Sequence, residues 1–233
     1  MKNNEYVIIT ENVKKTYSDN TVPVNAVRGV DLKIKFGEFT AIVGPSGSGK
    51  TTLLNIISGL DTPSEGKTYL NGKLISEMSG KELSDFRRDH IGFIFQAYNL
   101  IPVLTVEENV EYIMLLQGIG KQERHRRVLE ILEQVGLRGL ENRKPPQLSG
   151  GQQQRVAIAR AMVSKPLLIL ADEPTANLDS ETGTDLLEMM RDLNKMTGMT
   201  FVFSTHDNMV MEKANRLIKL KDGMIDKDEI KEK

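Results

Sequence analysis

The sequence predicts an α/β fold with a mostly parallel core sheet, an antiparallel β part and a helical part. Three patterns predict it. The runs 39–43, 167–171 and 200–203 are short and densely apolar, as strands buried on both faces are. Val30, Leu32 and Ile34 alternate with polar residues, as a strand with one wet face does. Residues 96–163 carry helical periodicity with few strand candidates, so a helical insertion is expected between two core strands. The chain then reads as a single unit, 1–233, with its core at about 1–95 and 164–226, a helical subdomain at about 96–163 and a charged tail at 227–233.

Each element has a local reason. Roughly the first 40 residues read as antiparallel strands. The strand at 39–43 is followed by a leucine-rich helix containing Leu53, Leu54, Ile56 and Ile57. Ser79 and Glu82 form a capping box ahead of Leu83 and Phe86. Thr105 and Glu108 form a second, ahead of Val110, Ile113 and Met114. Val128, Ile131, Leu132 and Val135 recur at i, i+3, i+4, i+7, and so do Leu186, Met189, Met190 and Leu193. These are packing stripes, in which methionine fills gaps. Residues 217–220, the turn Lys221-Asp222-Gly223 and Met224-Ile225 read as a hairpin. The charged residues 226–233 read as a frayed end.

Composition narrows the function classes. Thirty-one basic residues against 32 acidic ones leave a net charge of -1, which gives no general attraction to nucleic acid. There is no cysteine, so disulfides, thiolate chemistry and cysteine-ligated metals are excluded. His90, His125 and His206 are too scattered for a zinc site, and His90 and His125 read as surface residues. The first residues, Met1-Lys2-Asn3-Asn4-Glu5, lack the apolar core of a signal peptide, and no apolar run is long enough to span a bilayer. A cytoplasmic protein is expected, with any membrane role exerted through a partner.

The chemistry is concentrated in the turn after the first core strand: Gly44, Pro45, Ser46, Gly47, Ser48, Gly49, Lys50, Thr51, then Thr52. The spacing G-x-x-x-x-G-K-T between a strand and a helix is the phosphate-binding loop. Its glycines let backbone N–H groups converge on an anion, and the helix dipole adds positive potential. Lys50 is placed to reach the β- and γ-phosphates and Thr51 to offer a hydroxyl to Mg²⁺. Binding of a nucleoside triphosphate follows. The strand 167–171 ends in Asp172 and Glu173. Asp172 fits the aspartate that holds Mg²⁺ in such ATPases, and Glu173 fits a general base for the attacking water. Ser149, Gly150, Gly151 and Gln152 precede another helix, where Ser149 can cap and the glycine amides can approach a second phosphate.

Leu148-Ser149-Gly150-Gly151-Gln152 is the signature of the ABC (ATP-binding cassette) family, and the chain resembles the nucleotide-binding subunit of an ABC transporter over residues 5–225. Residues 86–96, Asn99-Leu100-Ile101-Pro102 and 174–180 resemble most the lipoprotein-releasing, macrolide-efflux and antimicrobial-peptide-export branch. The resemblance implies ATP and Mg²⁺ as ligands. It implies that Tyr17 stacks on adenine and that Gln96 contacts Mg²⁺ or water. It further implies that Asp179 lies in a loop crossing a dimer interface, where Asp179 can also cap a helix, and that His206 sits beside the γ-phosphate. Two copies are expected head to tail around ATP, with Lys50, Glu173 and His206 catalytic. Separate integral-membrane permease subunits are the implied partners, and the inner face of the cell membrane the implied location. A soluble ABC ATPase acting on DNA ends or ribosomes is the alternative, although the long heptad insertions and the tandem cassettes of those relatives are absent. A simple phosphate-loop kinase or GTPase is a third reading, disfavoured by the 148–152 signature and, for a GTPase, because Asn194-Lys195-Met196-Thr197 lacks the aspartate of a guanine-reading N-K-x-D.

Overall fold

The computed structural model describes residues 5–18 and 22–231. Two long strands, β1 (Tyr6–Tyr17) and β2 (Val24–Lys35), pair antiparallel from Tyr6 opposite Lys35 to Tyr17 opposite Val24. The predicted alternation holds: Val30, Leu32 and Ile34 are buried. The next strand, β3 (Phe39–Val43), is buried throughout and leads into helix α1 (Lys50–Ser58). A further strand, β4 (Glu65–Leu70), pairs with β1 and carries the short β5 (Lys73–Leu74), so the antiparallel sheet runs β2-β1-β4-β5. Helix α2 (Gly80–His90) starts on the Ser79–Glu82 capping box and ends directly in β6 (Ile91–Ile94).

Three helices follow before the next strand: α3 (Val106–Leu116), α4 (Lys121–Gln134) and α5 (Gly150–Met162). The chain then forms β7 (Leu168–Asp172), α6 (Ser180–Thr197), β8 (Thr200–Thr205), α7 (Asn208–Lys213), β9 (Arg216–Lys221) and β10 (Met224–Ile230). The second sheet is ordered β10-β9-β3-β8-β7-β6, parallel except for the β9–β10 hairpin.

Because side chains alternate along a strand, this sheet feeds two cores. Phe39, Ala41, Val43, Ile169, Ala171, Phe201 and Phe203 face α3 to α6, with the Phe39 and Phe203 rings 4.6 Å apart. Ile42, Leu168, Leu170, Val202, Ile218 and Leu220 face α1, α2 and the antiparallel sheet. Both helical stripes read from the sequence lie in the first core. The strand ends meet at one edge of these layers, and the phosphate-binding loop and both acids are there.

Two expectations are corrected. The charged tail is no frayed end as far as Ile230: β10 pairs with β9 up to Ile230 opposite Arg216. Its backbone is held by the ladder, and Arg216 reaches both Asp228 oxygens at 2.8 and 2.7 Å. The charges suit an edge strand, where they discourage pairing with another chain. His90 is half-buried, its ring edge-on to Phe86 with centroids 4.4 Å apart, and burial, then Lys73, holds its pKa below the ordinary histidine value. His125 is exposed and pairs with Glu107 at 2.6 Å.

Gly92 in β6 shows how tightly α5 is seated: a Cβ there would lie 2.2 Å from the Ala161 carbonyl oxygen. Gly92→Ala is expected to destabilise the fold by about 1–3 kcal/mol, the scale of an overpacked core, read as a lower urea midpoint at unchanged slope.

Candidate functional site

The site grows from the turn between β3 and α1. Gly44 has no room for a side chain: a Cβ would lie 2.3 Å from the Leu220 carbonyl oxygen. Gly49, the residue before α1, has φ 97 and would place a Cβ 2.3 Å from the Ala26 carbonyl oxygen. Both positions therefore demand glycine. Ser79, Thr105, Ser149, Asp179 and Asp207 cap their helices with side chains, but α1 has no side-chain cap and no acid in its first turn. Its first N–H groups are left for an anion. Lys50 is buried, and its Nζ donates to the carbonyl oxygens of Gly44 at 2.8 Å and Pro45 at 3.0 Å. The Ser48 hydroxyl is buried with no partner.

This turn forms one wall of a cleft of about 900 Å³. Pro45, Ser46, Gly47, Gly49, Lys50, Thr51 and Thr52 line it, with Tyr17, Gln96, Glu173 and His206 around its rim. The structure thus gathers residues from five separated stretches of chain. Asp172 closes β7 beside it. Burial, reinforced by the Glu173 charge, pushes its carboxyl above the ordinary aspartate pKa against the pull of Ser204, Lys50 and Thr51.

Glu173 sits in the left-handed region, at φ 46. A non-glycine residue held there costs about 1–3 kcal/mol, so something must hold it. Its N–H donates to the Ser204 carbonyl oxygen at 2.9 Å, the Thr205 hydroxyl donates to Oε2 at 2.8 Å, and His206 Nδ1 lies 2.6 Å from Oε1. Both carboxylate oxygens are fixed from the end of β8 and the residue that follows it, while the imidazole stays mostly solvent-exposed. Gln96 is exposed, and its carbonyl oxygen accepts from Asn177 Nδ2 at 2.7 Å.

Ser149 caps α5, accepting from the Gln152 N–H at 3.3 Å, while Gln152 Oε1 accepts from the Ser149 N–H at 3.0 Å. Asp179 caps α6 through the Thr182 N–H at 2.9 Å. Gly151 is packed on Thr182, where a Cβ would lie 2.7 Å from its methyl, so these two helix starts touch. None of residues 149–152, nor Asp179, lines the 900 Å³ cleft. One chain thus presents two glycine-rich helix N-terminal regions in different places, the uncapped start of α1 and the Ser149-capped start of α5.

The family model described as ABC transporter matches residues 27–176. The chain is 48% identical over 96% of its length to the uncharacterized ABC transporter ATP-binding protein MJ0796 of Methanocaldococcus jannaschii, and covers 97% of that protein. The chain belongs to the ABC transporter family. Its fold matches a solved dimeric structure of MJ0796 in a post-hydrolysis state bound to ADP and Pi, with a TM-score of 0.87 at 46% identity, over 96% of this chain and 98% of that one. The macrolide export ATP-binding/permease protein MacB of Brucella melitensis is 44% identical over 97% of the chain, which spans 35% of that longer protein.

For this cassette the sequence missed one wall of the cleft. Val24, Asn25, Ala26 and Arg28 of β2 line it, with Asp222 and Gly223 of the β9–β10 turn. That turn braces the phosphate-binding loop: the Gly223 N–H donates to the Ser48 carbonyl oxygen at 3.1 Å and its own carbonyl accepts from Arg28. A hairpin signal was legible there, but nothing local in it points to the distant phosphate-binding loop, which only tertiary packing brings against it.

Asp172 supplies a pH test. A raised carboxyl pKa means the folded state holds the proton more tightly than the unfolded chain. That stability is complete below the ordinary aspartate pKa and is lost as pH rises through the raised value. At neutral pH the ionised carboxylate is therefore a cost to the nucleotide-free protein. Asp172→Asn is expected to raise its melting temperature at about pH 7.5, well above the ordinary aspartate pKa, with the gap over wild type narrowing as pH falls.

Proposed function

We propose that two copies of this cassette close head to tail on ATP, hydrolyse it, and drive a separate export permease by alternating between closed and open pairs. The carrying observation is the separation within one chain of the Lys50 cleft and the Ser149–Gln152 signature. An ATP in the cleft presents γ-phosphate charge outward. The α5 N-terminus of a second copy is the matching donor, and the dimeric MJ0796 cassette supports that arrangement.

Within the site Lys50 and the α1 N–H groups would neutralise the β- and γ-phosphates, with Lys50 exchanging two loop carbonyls for phosphate oxygens. Mg²⁺ fits the donor set: Thr51, Asp172 and Gln96 offer hard oxygen ligands, and the partly desolvated Asp172 carboxylate lacks a full cationic partner. When bound it would add charge neutralisation to the phosphates. Glu173, its two oxygens held by Thr205 and His206, is aimed to accept a proton from water. His206 orients that carboxylate and lies open to the γ-phosphate. Tyr17 offers a ring to the base, and Asp179 with residues 149–152 faces the second copy.

Coupling to a membrane partner rests on surface chemistry. Among the described residues no helix is long and apolar enough to cross a membrane. Val103, Tyr112, Leu115 and Leu116 are exposed large apolar side chains that follow Gln96 in sequence, and they suit contact with an apolar segment of a permease. The macrolide export ATP-binding/permease relative supports export as the direction and a permease as the partner, and that partner would hold this chain at the cytoplasmic face of the membrane.

Glu173→Gln keeps the carboxylate's shape and removes its basicity. ATP binding is expected to survive while turnover falls about 10²-fold or more, with an ATP-dependent dimer appearing in size exclusion. Unimpaired hydrolysis by that variant removes Glu173 from the base role.

A further inference from the structure

Tyr17 is the last residue of β1 and is 41% exposed, so nothing in the strand itself fixes its ring. Fixing comes from outside the strand. The Tyr17 hydroxyl donates to Asp61 Oδ2 at 2.8 Å. The other oxygen of Asp61 accepts from Lys15 Nζ at 2.6 Å and from the Thr62 N–H at 2.7 Å. Lys15 also donates to the Thr62 carbonyl oxygen at 2.8 Å. Lys15 and Tyr17 are two residues apart on one strand and so share a face, which brings Nζ over the Tyr17 ring, 5.0 Å from its centroid. Lys15 is largely covered, at 13% side-chain exposure, and Asp61 at 26%.

Asp61 owes its place to α1. Just past the Gly59 cap of that helix, its own N–H bonds back to the Asn55 carbonyl oxygen at 3.1 Å. The same helix carries the phosphate-binding loop at its other end. Tyr17 is thus held in register with the phosphate site by a rigid element. The ring lines the cleft and Lys15 does not.

We propose that Asp61 is a positioning residue for the nucleotide base, locking the Tyr17 ring through its hydroxyl while Lys15 covers one face, so that the other face is a preformed stacking platform at a set distance from Lys50. The inference rests on ATP binding at the phosphate-binding loop. A locked ring loses no rotamer freedom when the base arrives, which is where the affinity gain lies. Burial and the Asp61 contact hold the phenol pKa above its ordinary value, so it stays a donor across the working range. Stacking on an aromatic face is tolerant of base identity, so the platform strengthens binding of ATP and GTP alike.

The test compares wild type, Asp61→Asn and Tyr17→Phe in the full chain, by KM and kcat for ATP and GTP and by competition with inorganic triphosphate, which has no base. Asp61→Asn removes the carboxylate charge that strengthens the link to Tyr17 and Lys15, and Tyr17→Phe removes only the hydroxyl and leaves the fold alone. Each is expected to raise KM for both nucleotides about tenfold, the scale of one charge-assisted hydrogen bond. Kcat at saturation and the affinity for inorganic triphosphate are expected to be unchanged. The double variant is expected to be no worse than either single one, because both cut the same link. Unchanged KM in both single variants, or an equal loss of triphosphate affinity, overturns the proposal. Wild-type protein that binds neither ATP nor triphosphate overturns the phosphate-loop reading itself.

Discussion

The positive end of α1, left without a counter-charge, is the constraint on which the rest depends. A helix N-terminus is ordinarily satisfied by a side-chain oxygen, and several helices in this chain follow that rule. Here glycine replaces the cap, no acid enters the first turn, and the lysine is parked on two carbonyls of its own loop. The arrangement is held from outside. β3 lies between β8 and β9 and cannot shift, the Leu220 carbonyl presses on Gly44, and the Asp222–Gly223 turn bonds to Ser48. A backbone cradle so constrained can bind an anion with only the Lys50 side chain changing partners.

The acids stand on the same constraint. Parallel pairing of β7 with β8 sets Asp172 opposite Ser204 and carries Glu173 to Thr205 and His206. The chain spends conformational energy to turn Glu173 into the left-handed region, and recovers it in three contacts from β8 and the residue that follows it. Asp172 instead bears a desolvation cost that a cation would relieve. Two neighbouring carboxylates are thereby given different environments, one pinned by Thr205 and His206 and one partly desolvated, which suits the different roles proposed for them.

Much of this was legible in the sequence where the signal is local. The capping boxes at Ser79 and Thr105, the core strands and both helical stripes are set by short-range period and capping chemistry, and the structure contains them. The phosphate-binding loop, Asp172–Glu173 and His206 were legible because each follows an apolar strand in a parallel sheet, and such strands end on one edge. What escaped is long-range or polar. β4 reads Glu-Gly-Lys-Thr-Tyr-Leu with only Thr68 and Leu70 buried, so periodicity is weak and pairing with β1 and β5 makes it a strand. β10 is almost wholly exposed and charged, yet its ladder and the Arg216–Asp228 pair hold it. Asp61 gave no signal, because its meaning lies in the contact with Lys15 and Tyr17 across 44 to 46 residues.

The separation of the Lys50 cleft from the Ser149 signature makes the composite site the central claim, and complementation tests it directly. Lys50→Ala chains keep a sound signature, and Gly151→Asp chains keep a sound cleft while burying an acid against Thr182. Each alone should be inactive. Mixed in equal amounts with ATP, they should regain ATPase activity, because one pairing reunites an intact cleft with an intact signature across the two chains. A mixture as inactive as its components, with both variants folded and able to associate, would contradict the account.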